Sequence, residues 1–220
     1  MALFEVKDVC FESRSKSIIN GVSLKIEKGT VTALMGKSGS GKSTLLKLMA
    51  GLLVPSSGHV YYDGVDIQHM THSQNMRFRK NCSFIFQDSA LWENQNVLQN
   101  LELPVTTQYP HISDSEKRAL VDEVCHKVNY TKSLLLRPAE LSMGEQKLIA
   151  YARAVINKPD VLFLDECTES LDKNRRAVII QLLHEFVNEG NTVVYITHDS
   201  TFIAEFPGEM YVLEEGALSE

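Results

Sequence analysis

Apolar positions recur in two rhythms along this chain. Near the N-terminus they alternate with polar ones, over residues 3–11 and again over 22–26, the mark of strands with one buried face. Elsewhere they come as unbroken runs, "VTALM" at 31–35, "VLFLD" at 161–165 and "TVVYIT" at 192–197, which predict strands buried on both faces of a parallel sheet. "CSFIFQ" at 82–87 is a further strand, and "HVYYDGVDI" at 59–67 divides at Asp63-Gly64 into a hairpin. Helical spacing takes over from about Ser43 to Leu53, ahead of Pro55 and a Ser-Ser-Gly turn. It returns behind the capping box "SDSE" at 113–116, where Leu120, Val121, Val124 and Val128 share a face, and behind Asp172 as far as Gly190. Strands alternating with helices predict a doubly wound α/β sheet, into which the polar, helical stretch from Asp88 to about Ala139 is inserted.

Length and charge narrow this picture. A chain of 220 residues suits one α/β domain over 1–220 and would be cramped as two. The net charge of −6 argues against a broad nucleic-acid surface, so no nucleic-acid partner is expected. Cys10, Cys82, Cys125 and Cys167 form no CxxC pair and read as free thiols of a reducing compartment. The start "MALFEVKDVCFE" lacks the basic and apolar blocks of a signal peptide. The longest apolar stretch, "LLKLMAGLLV" at 45–54, is broken by Lys47 and falls short of the ~20 residues a bilayer span needs.

Chemistry concentrates at the ends of the predicted strands. "GKSGSGKST" at 36–44 fits G-x-x-x-x-G-K-[ST] and lies between a strand and a helix. Gly36, Lys37, Ser38, Gly39, Ser40, Gly41, Lys42, Ser43 and Thr44 are thus the candidate nucleotide-binding residues. Its glycines let backbone wrap a phosphate, Lys42 reaches the β- and γ-phosphates, and the Ser43 hydroxyl can ligate Mg²⁺. "VLFLDE" ends its strand in Asp165, suited to the magnesium shell, and Glu166, suited to face an attacking water. His198 follows "TVVYIT" at the carboxyl edge of the sheet, where ligands of such folds bind. A second anion site is suggested by "LSMGE" at 141–145, a Ser-x-Gly-Glu element at the mouth of an apolar-periodic helix. His69-x-x-His72 has a metal-like spacing but no third ligand close in sequence, and reads as surface loop.

In this order and spacing, the phosphate loop, Gln87, "LSMGE", "VLFLDE", "SLD" at 170–172 and "THD" at 197–199 resemble the ATP-binding cassette ATPases, the nucleotide-binding subunits of ABC transporters. The resemblance covers essentially the whole chain. It implies a P-loop NTPase core sheet with helices on both faces and an N-terminal antiparallel β-subdomain, over about 1–87 and 157–220. An α-helical subdomain carrying the signature motif would occupy about 88–156. ATP and Mg²⁺ are the implied cofactors, with Ser43, Gln87 and Asp165 around the metal, Asp165 directly or through water. Glu166 would be the general base, His198 would contact the γ-phosphate, and Gln87 would complete the catalytic set. Two cassettes pack head to tail in this family, so Leu141, Ser142, Met143, Gly144 and Glu145 of one copy would cap ATP held by the other. Asp172 would sit in the loop facing that partner.

The implied partners are a second copy, or a homologous cassette, and a membrane permease touching the stretch from Gln87 to Pro104, in which Trp92 is either an ordinary anchor of the insertion or a contact to that permease. The implied location is peripheral, on the inner face of the cell membrane. "FQDSALWENQNVLQNLELP" is similar to cassettes of lipid trafficking, lipoprotein release and peptide extrusion. The alternatives are a soluble cassette acting on DNA or ribosomes, disfavoured by the short insertion and the single cassette, and a P-loop nucleotide kinase, disfavoured by "LSMGE" and Glu166. Three positions depart from the family pattern. Met143 replaces a glycine, Ser13 falls where an adenine-stacking aromatic is usual, and Cys167 and Glu169 replace a proline and a small residue.

Overall fold

The buried run Val161–Asp165 shows how the molecule is layered in a computed structural model, which describes residues 2–13, 16–169 and 171–219. Leu162 and Leu164 point into one hydrophobic cluster, Val161 and Phe163 into another. The neighbouring run Thr192–Ile196 divides likewise, Val193 and Tyr195 to one side and Val194 and Ile196 to the other. Period-two side chains on strands covered from both faces leave no polar position to spare, which is why these runs are unbroken in sequence.

The chain begins with β1 (Ala2–Ser13) and β2 (Lys16–Glu27), then β3 (Val31–Met35), helix α1 (Lys42–Met49), β4 (Ser57–Tyr62) and β5 (Val65–Asp66). A 3₁₀ turn at Ile67–His69 leads to α2 (His72–Asn81) and β6 (Cys82–Ile85). Three helices follow, α3 (Val97–Gln108), α4 (Asp114–Lys127) and α5 (Met143–Val155). The remainder runs β7 (Val161–Asp165), α6 (Lys173–Asn188), β8 (Thr192–Ile196), α7 (Ser200–Glu205), β9 (Glu209–Glu214) and β10 (Ala217–Leu218).

These strands form a six-stranded sheet in the order β10-β9-β3-β8-β7-β6 and a four-stranded sheet in the order β2-β1-β4-β5. Pairs within the larger sheet are parallel except for β10 on β9; those within the smaller one are antiparallel. The smaller sheet and α1 bury one face of the larger, through Phe4, Ile26, Leu45 and Leu48. Helices α3 to α6 cover the other, through Leu101, Val121, Ile149 and Leu183.

Several predicted bounds move. The first helix stops at Met49 rather than Leu53, because Gly51 takes φ +65° and its N–H donates to the Leu48 carbonyl while that of Leu52 donates to Lys47. That is a Schellman stop, made by glycine before proline is reached. The second strand starts at Lys16, not at residue 22, since pairing with β1 recruits polar residues that lack alternation of their own. Helix α2 is too polar to show a periodic face; it is held by Thr71 and Gln74, which cap each other's backbone. The hairpin at Asp63-Gly64 is as expected, both residues having positive φ (+49° and +76°).

Candidate nucleotide site

The loop between β3 and α1 forms the floor of a cleft of about 1160 Å³, lined by Gly36–Gly39, Gly41–Thr44, Gln87, Glu166 and His198. Glycine is required at the loop's two ends. A Cβ on Gly36 would lie 2.2 Å from the Leu213 carbonyl oxygen, and one on Gly41 2.7 Å from Ile19 and 2.9 Å from the Ile18 carbonyl. Helix α1 then begins with no side-chain cap. Each of the other α-helices has one, from Thr71, Asn96, Ser113, Ser142, Asp172 or Asp199. The N–H groups of the first turn of α1 therefore have no partner within the helix and open on the cleft, which suits an anion.

Lys42, at the first position of α1, is buried, and its amine donates to the carbonyls of Gly36 (2.8 Å) and Lys37 (2.9 Å). Burial pushes its ammonium below the usual lysine range, while the charges of Glu166 and Asp165 pull the other way. An anion in the cleft would relieve that cost. Among the described residues, the buried Ser40 Oγ has no hydrogen-bond partner.

The ends of β7 and β8 supply the opposite wall. Ser43 Oγ donates to Asp165 Oδ1 at 2.9 Å, which brings two of the three expected metal-site residues into contact. This hydroxyl and carboxylate side by side form an all-oxygen donor set that fits a hard cation such as Mg²⁺. Glu166, one residue on, takes φ +50° and is half-buried, with Oε1 3.5 Å from His198 Nε2. His198 is followed by Asp199, which caps α7 and pairs with Arg176 at 2.9 Å.

Gln87 lines the same cleft, but its amide donates to Glu169 Oε2 at 2.9 Å rather than to Ser43 or Asp165. The segment behind it is tied to α5 by half-buried Arg153, which donates to the carbonyls of Ser89 (3.0 Å) and Ala90 (2.8 Å). A second tie from α5 comes from Lys147, whose amine donates to the Glu166 carbonyl at 3.2 Å. Cys167 is buried, and burial pushes its thiol up to about 12.

Residues 141–145 lie apart from this cleft. Ser142 caps α5 by accepting from the Glu145 N–H (3.3 Å), and Glu145 Oε2 accepts from the Ser142 N–H (2.9 Å). Glu145 also takes Lys132 (2.9 Å) and Arg175 (3.7 Å), and is held down to about 2 by the Lys132 hydrogen bond first and the Ser142 N–H second. Arg175 lies over Gly144, where a Cβ would meet its Cδ at 2.7 Å, and pairs with Asp172 at 2.7 Å. The helix mouth predicted as an anion site is thus joined to Asp172, while Met143 projects from it, 63 % exposed. Leu141 is buried beneath. Ser170 lies outside the described residues.

Ser13 stands at the end of β1 opposite Lys16, and near it the cleft wall is formed by Lys16, Ser17 and Ile18. Glu215 and Gly216, from the β9–β10 turn, complete the wall. These five carry no motif. They reach the site because the Asn20 N–H binds the Gly216 carbonyl (2.8 Å) and the Gly216 N–H binds the Ser40 carbonyl (3.1 Å).

A family model described as "ABC transporter" matches residues 19–169. The chain is 39 % identical over 191 residues to the lipoprotein-releasing system ATP-binding protein LolD of Buchnera aphidicola subsp. Schizaphis graminum, covering 86 % of this chain and 82 % of that protein. It is 31 % identical to the cell division ATP-binding protein FtsE of Haemophilus influenzae, with 99 % of both chains covered. Among solved structures, the ATP-binding cassette MJ0796, a dimer in a post-hydrolysis state bound to ADP and phosphate, superposes with a TM-score of 0.90 at 30 % identity, covering 99 % of this chain and 97 % of that one.

Proposed function

The chain belongs to the ATP-binding cassette ATPases of ABC transporters, and from that premise we propose that it powers a membrane transporter through ATP-driven pairing of two cassettes. The observation that carries this reading is the uncapped start of α1, opening with buried Lys42 onto a cleft whose far wall holds Glu166 beside His198. The residues of 36–44 would bind the phosphates through backbone N–H groups and Lys42. Ser43, Asp165 and Gln87 would hold Mg²⁺, which when bound neutralises phosphate charge. Glu166 would take the proton of the attacking water, and His198 would orient the γ-phosphate.

One cleft leaves the far side of that phosphate open, and the exposed mouth of α5 is the anion-seeking surface that could close it from a second copy. Dimeric MJ0796 supports this arrangement. Among the described residues no helix is long and apolar enough to cross a membrane, and the membrane-spanning partner in this reading is a permease. A groove lined by Leu52, Met76, Phe84, Phe86, Trp92 and Leu103 supports its docking beside Gln87. The cargo we favour is a lipid or lipoprotein, on the likeness to LolD.

Glu166→Gln tests the proposal. The variant is expected to bind ATP, to lose at least about a hundredfold in phosphate release, as removal of a general base does, and to form an ATP-dependent dimer in sedimentation. Unchanged turnover would remove Glu166 from its role, and an ATP-loaded variant that stays monomeric with its permease present would overturn pairing in trans.

A further inference from the structure

His69 belongs to a constellation that its own sequence neighbourhood hides. Its apparent partner His72 opens α2, while His69 Nδ1 lies 2.8 Å from Asp66 Oδ2. His59 Nδ1 lies 2.8 Å from that same oxygen. The three ligand atoms all fall within 4.8 Å of one another. Local geometry explains the convergence. Asp66 pairs with Tyr61 across the β4–β5 hairpin, and His59 shares the Tyr61 side of β4 because it is two residues away. His69 stacks over Asp66 because i and i+3 eclipse in a 3₁₀ turn.

We infer that His59, Asp66 and His69 form a binding site for a divalent transition-metal ion of the zinc type, separate from the nucleotide cleft. Two imidazoles and one carboxylate are the donor set that zinc, cobalt and nickel prefer, and one that Mg²⁺ and Ca²⁺, which favour oxygen, do not. The carboxylate is oriented as a ligand should be. Asp66 Oδ1 accepts the Gln68 N–H at 3.0 Å, fixing the plane of the group and leaving Oδ2 to the histidines. Asp66 is 13 % exposed in its side chain, against 50 % for His59 and 74 % for His69, so the anchoring ligand is sheltered and the entry path open.

The neighbouring cation does not compete. Lys7, opposite His59 in the register of β1 and β4, turns to Glu5 (3.1 Å) and over the Tyr61 ring. Tetrahedral bonds near 2.1 Å set ligand atoms about 3.4 Å apart, so small rotations of two exposed imidazoles complete the site, with water in the open position. None of the three residues lines the nucleotide cleft. The ion would clip the end of the antiparallel sheet to the 3₁₀ turn that precedes α2.

Cobalt titration of the nucleotide-free full-length protein, followed by visible absorption and reversed with zinc, tests this site. One equivalent of Co²⁺ is expected, with the d–d bands of a four-coordinate ion and no thiolate charge transfer, resisting excess Mg²⁺. His59→Ala, His69→Ala and Asp66→Asn should each weaken it by at least about tenfold, the loss that removing even a group hydrogen-bonded to a ligand brings. Asn keeps the cap of the 3₁₀ turn, and circular dichroism confirms that each variant is folded. His72→Ala and His198→Ala should leave the signal as it is. Absence of saturable binding, survival of the signal in Asp66→Asn and His69→Ala, or its loss in His198→Ala would each overturn the assignment.

Discussion

At the scale of single residues, the cleft is shaped by groups that are partly satisfied by one another. The Ser43 hydroxyl rests on Asp165, the Lys42 amine on two loop carbonyls, and the Gln87 amide on Glu169, so binding of nucleotide exchanges contacts rather than creating all of them. Glu169, which departs from the family pattern, holds Gln87 on a partner outside the expected metal set. Removing the acceptor should lower the cost of recruiting Gln87 by about 1 kcal/mol, the net worth of one hydrogen bond. Glu169→Ala is therefore expected to raise steady-state phosphate release about fivefold, measured at saturating Mg·ATP. An unchanged rate would show that the contact opposes nothing. The motif residues of this wall were legible from spacing. Lys16, Ser17, Ile18, Glu215 and Gly216 were not, because a cleft wall made by hydrogen-bonded turns leaves no periodic trace.

At the scale of elements, α5 connects the two halves of the chemistry. Its mouth carries Ser142 and Gly144, its middle sends Lys147 to the Glu166 carbonyl, and its end sends Arg153 to the segment behind Gln87. Glu145 anchors the first turn. Its carboxyl ordinarily titrates near 4.5 and is held at about 2 in the fold, so the folded state binds fewer protons than the unfolded chain between these values. The stabilisation is complete above about pH 4.5 and declines as pH falls toward 2. Glu145→Gln should cost about 1.5–3 kcal/mol at neutral pH, the worth of charge-assisted hydrogen bonds, and its deficit against the parent should shrink on acidification. Denaturant unfolding at a series of pH values checks both; a deficit independent of pH would mean that Lys132 contributes no charge interaction. Helix α2 marks the limit of pattern at this scale. It is held by its ends, with Phe78 as its buried residue, and thus shows no amphipathic stripe.

At the scale of the whole molecule, two exposed apolar side chains fall on the surfaces proposed above for a second cassette and a permease. Met143 stands at the mouth of α5, where family members have glycine, and Trp92 is 51 % exposed on the groove beside Gln87. If Met143 holds two cassettes apart, Met143→Gly in the Glu166→Gln background should tighten ATP-dependent dimerisation about tenfold, or ~1.4 kcal/mol. Sedimentation equilibrium with ATP measures it, and an unaltered constant would place the side chain away from the contact. Trp92→Asp should abolish retention of the protein on permease-containing membranes, since a charge in an apolar anchor must be desolvated on docking; retention equal to the parent would move the permease contact elsewhere. What the sequence by itself determined is the set of elements whose cause is local: the glycine loop, the buried strands, the Asp63-Gly64 turn, and the carboxylates at the end of β7. Only the tertiary structure decided which distant groups meet. Gln87 with Glu169, Arg175 with Glu145, and His59 with Asp66 are joined by strand register and helix packing, which act across the chain and leave no mark on the spacing of neighbours.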